Sequence, residues 1–410
     1  MSDRASHIVI VGAGHAGGSA AALLRQYGWK GPITLIGEEP VPPYQRPPLS
    51  KTWLKGEADV ASVALRPASF YPANDITLRL GVTAVAIDRP HRIVALSTGD
   101  SVAYDELILA TGARPRTLPV PGHDLSGVLD LRSIADADRI KAALTSGSRL
   151  VVIGGGYIGL EVAASARDIG ATVTVVERET RVLARVASPP LSDFFHQAHA
   201  ARGVRILCDA GVAAIEGDAG HVARVRLNDG TALPCDAVLI GIGAGPDEGL
   251  ARAAGLACDN GVIVDLASRT GDPHVHAIGD CTNRPLPLYG RSFRLESVPN
   301  ALEQAKQAAA DLCGRAAPPS EVPWFWSDQY DIRLQIAGLP FDVAGVVLRG
   351  DPAAGRFAAF HLGLDDTVRA VEAVNSPAEF MGGRMMIARR KKVVAERLRD
   401  VSVSMQELAA

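Results

Sequence analysis

Thiols are scarce in this chain. Its five cysteines, Cys208, Cys235, Cys258, Cys281 and Cys313, are widely spaced and odd in number, which excludes a disulfide framework and a clustered metal site. Long apolar runs are missing too: no stretch of about 18 apolar residues offers a membrane span. Neither sign of charge is in excess. With 42 Lys and Arg against 45 Asp and Glu, the formal charge is −3, so the molecule as a whole has no electrostatic bias toward nucleic acid or membrane. No histidine has metal-ligand spacing; His196 and His199 lack a cysteine or carboxylate companion and read as surface helix residues. The opening MSDRASHIVIVGAG enters a strand almost at once, with no apolar targeting segment. A reducing cytoplasm is the expected setting.

Glycine and alanine, by contrast, are abundant, and they are organised. In IVIVGAGHAGGSAAALLRQYG, residues 8–28, a short buried-type strand leads into Gly12-x-Gly14-x-x-Gly17 and then a helix. Gly12 allows the tight turn, Gly14 lets a pyrophosphate approach the backbone, and Gly17 lets helix and strand pack closely. The helix N-terminus attracts the phosphate charge. Glu38, at the end of the next strand, is placed to accept hydrogen bonds from a ribose diol. The pattern returns in LVVIGGGYIGLEVAASARDIGATVTVVERE, residues 150–179, as Gly154-x-Gly156-x-x-Gly159 ending at Glu177. A carboxylate there favours a free 2′-hydroxyl and repels a 2′-phosphate, so NADH is expected over NADPH; Arg178 and Arg181 lie close by in sequence.

A chain of 410 residues suggests two or three domains, and the repeat agrees. Each half has a strand–helix–strand unit, an antiparallel meander, and a strand ending in a Gly turn (ELILATGARP in the first, AVLIGIGAGP in the second). VHAIGDC adds one more apolar strand. From PWFWSDQYDIRLQIAG onward, strand-like segments and a helix across 381–400 suggest a smaller third domain. The expected fold class is α/β: two Rossmann-like nucleotide-binding domains plus a small C-terminal α+β domain.

ILATGARP and HAIGDC resemble motifs of the two-dinucleotide-binding-domain flavoproteins, whose nucleotide domains are of the glutathione reductase type. In that family the first site holds FAD and the second a nicotinamide nucleotide. Disulfide reductases of this kind carry a cysteine pair beside the flavin, and related peroxidases one reactive cysteine in the N-terminal part. Here the first cysteine is Cys208, so thiol chemistry is not expected. PPYQRPPLSK, RLESVPNALEQAKQAA and PWFWSDQYDIRLQIAG make the chain similar to the oxygenase-coupled, NADH-dependent ferredoxin reductases across essentially its whole length. Rubredoxin reductases, and a redox-responsive binding flavoprotein such as apoptosis-inducing factor, share that architecture and stand as alternatives.

The resemblance implies FAD and NADH as cofactors and a two-iron ferredoxin as redox partner, with no nucleic acid, membrane or metal, and a monomer or weak dimer. It implies an FAD-binding domain in two parts, 1–113 and 245–320, an NAD-binding domain over 114–244, and a C-terminal domain over 321–410. Contacts to FAD are expected from Gly12, Gly14, His15, Ala16 and Gly17 of the first loop, and from Glu38, Arg46, Lys51 and Val82. Ala110, Thr111, Gly112, Arg132, Asp280, Val298 and Trp326 complete that set. For NADH the set is Gly154, Gly156, Ile158, Gly159, Glu161, Glu177 and Gly243. Lys51 and Glu161 are expected to pair near the reacting rings, where a cation favours electron acceptance by flavin. The basic segment GGRMMIARRKKVVAERLR, residues 382–399, is a candidate face for steering an acidic ferredoxin.

Overall fold

The computed structural model describes residues 6–410, so the first five residues of the expected first domain lie outside it. The chain divides into two compact units. The first comprises residues up to Arg46, Asp59–Arg114 and Gly245–Pro323; the second comprises Pro47–Ala58, Pro115–Ala244 and Trp324–Ala410.

The first unit is built on a five-stranded parallel sheet in the order Val275–Ala277, Glu106–Leu109, Ile8–Val11, Ile33–Gly37, Ile76–Leu80. Strand Ile8–Val11 is buried along its whole length, which is why it is continuously apolar rather than alternating. Helix His15–Tyr27 follows, ended by Gly28 at φ +101°, a left-handed position that glycine takes without strain. It packs against helix Val298–Leu312 through Ala16, Ala20, Ala301, Ala305 and Ala308. These small side chains let the two helices approach closely. The meander Ala84–Asp88, Ile93–Leu96, Ser101–Ala103 covers the sheet beside Leu107, Leu109 and Val275.

The second unit repeats the plan. Its parallel sheet runs Arg205–Leu207, Thr172–Val176, Arg149–Ile153, Ala237–Ile240, Val128–Leu129. Helix Tyr157–Ile169 has the same 13-residue length as its counterpart and the same glycine stop, Gly170 at φ +96°. The meander here is Val212–Asp218, His221–Leu227, Ala232–Pro234. The unit also contains the C-terminal antiparallel sheet, ordered Trp324–Gln329, Ile332–Gly338, Val368–Val374, Arg356–Gly363, Val343–Asp351, with helix Pro377–Ala388 packed on it.

Three local expectations are corrected. Segment 47–58, expected within the first domain, groups with the second unit: Ser165 Oγ donates to the Ser50 carbonyl at 2.7 Å and Trp53 Nε1 to Asp138 at 2.8 Å. The helix expected across 381–400 stops at Ala388 and resumes only over Ala395–Arg399. Between them Arg390 takes φ +50°, Lys392 bridges to Thr367, and Val393 turns into the core. Finally, His199 is not a surface residue; it is fully buried.

Candidate functional site

Both Gly loops are built the same way, and the neighbours of each glycine show which ones the fold needs. In the first unit Gly12 sits at φ +112°, and a Cβ there would lie 2.1 Å from the Ala110 carbonyl oxygen. A Cβ on Gly17 would lie 1.9 Å from the Gly12 carbonyl oxygen. Those two glycines are demanded by backbone packing. Gly14 is different: at φ −80° it caps the helix, and a Cβ would meet nothing nearer than Arg46 Nη2 at 3.9 Å. That open ground at a helix N-terminus, with a guanidinium beside it, has the room and the positive field that a phosphate would need. Arg46 is held there by Glu39 Oε1 at 2.9 Å and stacks on the Tyr44 ring at 5.4 Å; Tyr44 also donates to Glu39, at 2.6 Å.

The second loop repeats the arrangement. A Cβ on Gly154 (φ +107°) would lie 2.5 Å from the Gly241 carbonyl oxygen, and one on Gly159 would lie 2.2 Å from that of Gly154. Gly156, the helix cap at φ −80°, faces open space, its nearest neighbour being 4.0 Å from a Cβ. Beside it, Ile158 is 48% exposed, an apolar side chain left bare at the mouth of the loop.

Other expected residues of the first unit gather around its loop. His15 opens the helix, and its buried Nδ1 has no hydrogen-bond partner. Burial lowers its pKa against the opposing charge of Asp280, so the ring is neutral and offers a polar atom to a ligand. Asp280 lies in the turn Gly279–Cys281, where Gly279 passes so close to Ala16 that a Cβ would be 2.9 Å from it. Gln304 Oε1 fixes that turn by accepting from the Gly279 N–H at 2.8 Å and from Thr282 Oγ1 at 3.0 Å. Val298 is the first residue of its helix, capped by Ser297. Val82 is tied by its N–H to the Gly37 carbonyl at 2.9 Å. Ala110 N–H donates to Val11 at 2.7 Å, Thr111 Oγ1 donates to the Asp247 carbonyl at 2.6 Å, and Gly112 is left-handed at φ +77°. Glu38 is exposed at the end of its strand, 3.4 Å from Arg114 Nη2.

Glu177 is not a mirror of Glu38. Its Oε2 accepts from the Gly155 N–H at 2.7 Å and its Oε1 from the Glu179 N–H at 2.9 Å, so the carboxylate is locked against the loop. Of the two nearby arginines, Arg181 is occupied by the Ala184 and Ala187 carbonyls and Ser192, while Arg178 is exposed and paired with Glu179. Gly243, at φ +96°, lies near Arg185 and accepts from the Arg116 N–H at 2.9 Å. Arg132 precedes the helix Ile134–Ala143, with its N–H on Asp136 at 3.1 Å.

Lys51 and Glu161, separated by 110 positions, meet in the second unit at 2.5 Å. Glu161 is 4% exposed and its Oε2 also accepts from Ser50 Oγ at 2.6 Å; Oε1 accepts from Ser327 Oγ at 2.7 Å. Both serines lie within the quoted segments PPYQRPPLSK and PWFWSDQYDIRLQIAG, yet neither was expected as a site residue. Trp326 lies on the same strand as Ser327 but on its other face, 5.7 Å from Trp324, whose ring in turn meets Phe380 and Arg384.

The cysteines contribute nothing reactive. All five are free, and burial pushes every thiol up, Cys235 to about 11. None is poised as a thiolate.

Comparison with known proteins decides the family. A model described as pyridine nucleotide-disulphide oxidoreductase matches residues 6–305. The chain belongs to that family. A second model, reductase C-terminal, matches residues 324–409, so this pyridine nucleotide-disulphide oxidoreductase carries a reductase C-terminal domain. It is 51% identical over 403 residues to a probable ferredoxin reductase, CtmF, of Castellaniella defragrans, covering 98% of each chain. Putidaredoxin reductase CamA of Pseudomonas putida is 44% identical, with 98% of this chain and 97% of that one covered. The reductase in the covalent putidaredoxin reductase–putidaredoxin complex superposes with a TM-score of 0.96 at 43% identity, covering 99% of this chain and 98% of that one. The family is named for a disulphide, yet this member has no thiol suited to that chemistry.

Proposed function

We propose that this protein is an FAD-dependent NADH:ferredoxin oxidoreductase that feeds electrons to an oxygenase through a two-iron ferredoxin. The observation that carries this reading is the pair of Gly loops whose outer glycines are required by the fold and whose middle glycine opens onto free space, in a chain without an activated thiol. Two nucleotides with no sulfur relay call for an acceptor outside the chain. Full-length relatedness to ferredoxin reductases, and to a reductase solved in covalent complex with putidaredoxin, supports a ferredoxin as that acceptor.

Gly12, Gly14, Ala16 and Gly17, with Arg46 and the N-terminus of the first helix, would hold the FAD pyrophosphate. Glu38 would accept from ribose, and Asp280, His15 and Val298 would meet the chain between phosphate and ring. Val82, Ala110, Thr111 and Gly112 would complete the first unit's share of the FAD contacts. Gly154, Gly156 and Gly159 would hold the NADH pyrophosphate, with Ile158, Glu177 and Gly243 at its flanks. Once bound, FAD supplies the chemistry that accepts a hydride from NADH and releases the electrons one at a time.

The chain's own residues supply geometry and field. Lys51 brings a positive charge that Glu161 orients, in a setting dry enough to strengthen it. Glu177, immobilised by two backbone donors, presents a negative charge that a 2′-phosphate would meet at a cost. No general acid or base is required of the protein. A cytoplasmic setting fits the free thiols, and among the described residues no helix is long and apolar enough to cross a membrane. Anaerobic addition of NADH to the purified yellow protein should bleach the flavin, and a two-iron ferredoxin should restore its colour while becoming reduced. Flavin that stays oxidised under NADH would overturn the reading at its first step.

A further inference from the structure

Strand Trp324–Gln329 shows a period of two in which each face has a distinct task. Trp324 and Trp326 lie on one face. Phe325, Ser327 and Gln329 lie on the other, against helices Tyr157–Ile169 and Pro189–Ala201: the Phe325 ring meets Tyr157 at 4.9 Å, Ser327 reaches Glu161, and Gln329 reaches His199. Both polar residues on that face are buried to 1% exposure.

Their hydrogen bonds form one chain whose direction is forced. Lys51 and Ser50 donate to Glu161 Oε2, so Glu161 serves as the acceptor, and the Ser327 hydroxyl donates its single hydrogen to Oε1. Ser327 Oγ then accepts from Gln329 Nε2 at 3.1 Å. That orients the amide and turns Gln329 Oε1 toward His199 Nε2 at 2.8 Å, which assigns the hydrogen of the ring to Nε2. Burial lowers the His199 pKa to about 4, so Nδ1 keeps a lone pair, and it accepts from the Tyr330 hydroxyl at 3.1 Å. All four bonds, Tyr330 to His199 to Gln329 to Ser327 to Glu161, point the same way, and bonds so aligned polarise and strengthen one another.

We propose that Ser327, backed by Gln329, His199 and Tyr330, is a positioning residue for the Lys51–Glu161 pair. By occupying Oε1 it turns Oε2 toward Lys51 and Ser50, so the C-terminal domain sets where the Lys51 ammonium stands. The inference rests on the reading of Lys51 and Glu161 as part of the redox site. Ser327 itself touches no reacting atom; it acts through Glu161.

The test uses the FAD-loaded protein with Ser327→Ala, Ser327→Thr, Gln329→Leu and, as reference, Glu161→Gln. Three quantities are read: the rate constant of flavin bleaching on anaerobic mixing with NADH, the midpoint potential of the bound flavin, and the thermal melting point. Ser327→Ala should slow bleaching by about tenfold, the effect of losing one charge-assisted hydrogen bond, and shift the potential while FAD content and melting stay near the parent's. Ser327→Thr, which keeps the hydroxyl, should restore both, and Gln329→Leu should slow bleaching by a smaller factor. Parent-like rate and potential in both Ser327→Ala and Gln329→Leu, beside an impaired Glu161→Gln, would overturn the proposal alone. A Glu161→Gln variant that bleaches at the parent's rate would instead overturn the reading of the pair on which it rests.

Discussion

Substituting alanine at each glycine of the first loop separates what the fold needs from what the nucleotide needs. At Gly17 the new methyl would lie 1.9 Å from the Gly12 carbonyl oxygen, and at Gly12 it would lie 2.1 Å from that of Ala110 with φ at +112°. Overpacking of this kind costs about 1–3 kcal/mol, and the left-handed backbone at Gly12 adds about 1–2 kcal/mol. Both variants should therefore be destabilised before any ligand is added. Gly14→Ala meets nothing closer than 3.9 Å, and φ −80° suits alanine. Alanine is a poorer helix cap than glycine by about 0.5–1 kcal/mol, while restricting the unfolded chain returns about 0.4–1 kcal/mol. The apoprotein should keep its stability within about 1 kcal/mol, yet its methyl would fill the phosphate cradle. If affinity falls a hundredfold, FAD at 100 times the parent's Kd stabilises the parent by about 2.7 kcal/mol and Gly14→Ala by about 0.4 kcal/mol. Urea unfolding of each apoprotein, repeated with FAD, measures both quantities. A Gly14→Ala protein that binds FAD as the parent does, or that unfolds as readily as Gly17→Ala, would refute the reasoning.

Gly156→Ala should behave alike for the other nucleotide, raising KM for NADH while leaving FAD bound. Glu177→Ala removes the charge held by the Gly155 and Glu179 N–H groups and should cut kcat/KM for NADH by about ten- to hundredfold while NADPH loses less; an unchanged ratio of the two would contradict the role given to this carboxylate. His199 binds its proton more weakly in the fold, at a pKa of about 4 against 6.5 free, so its contribution to stability is complete above pH 6.5 and declines as pH falls toward 4. The loss amounts to about 3 kcal/mol, and denaturant titrations of parent and His199→Gln should differ in pH slope between about pH 4 and 6.5 and agree outside that window. Arg389, Arg390 and Lys392 are exposed in the turn after helix Pro377–Ala388. Raising salt from about 0.1 M to 1 M shrinks the screening length from about 10 Å to about 3 Å, and NADH-driven ferredoxin reduction should fall steeply while ferricyanide reduction barely changes. An equal fall in both would remove that turn as a docking face.

The extent to which each feature was legible follows from how far apart its parts lie along the chain. Both Gly loops, their strands and their acidic ends were readable because each requirement acts within about thirty residues of sequence. The turn, the helix start and the acidic residue that ends the next strand all fall in one local unit. Even there, Glu38 and Glu177 read as equivalents, and packing made one exposed and the other locked. His199 read as a surface residue because its partner, Gln329, lies 130 positions away. A single helix was expected over 381–400, and the break after Ala388 coincides with a bridge from Lys392 to Thr367, just before strand Val368–Val374.

What the amino-acid sequence determined by itself is therefore the pair of parallel sheets, the two Gly turns and the lack of a usable thiol, since apolar runs, glycine spacing and cysteine count are local quantities. The resemblance already implied that Lys51 pairs with Glu161; tertiary structure alone decided that Ser50 and Ser327 complete the carboxylate's partners and that Arg46 stands beside Gly14. A buried carboxylate must find donors wherever the packed chain can bring them, and here they come from segments 110 to 166 residues away.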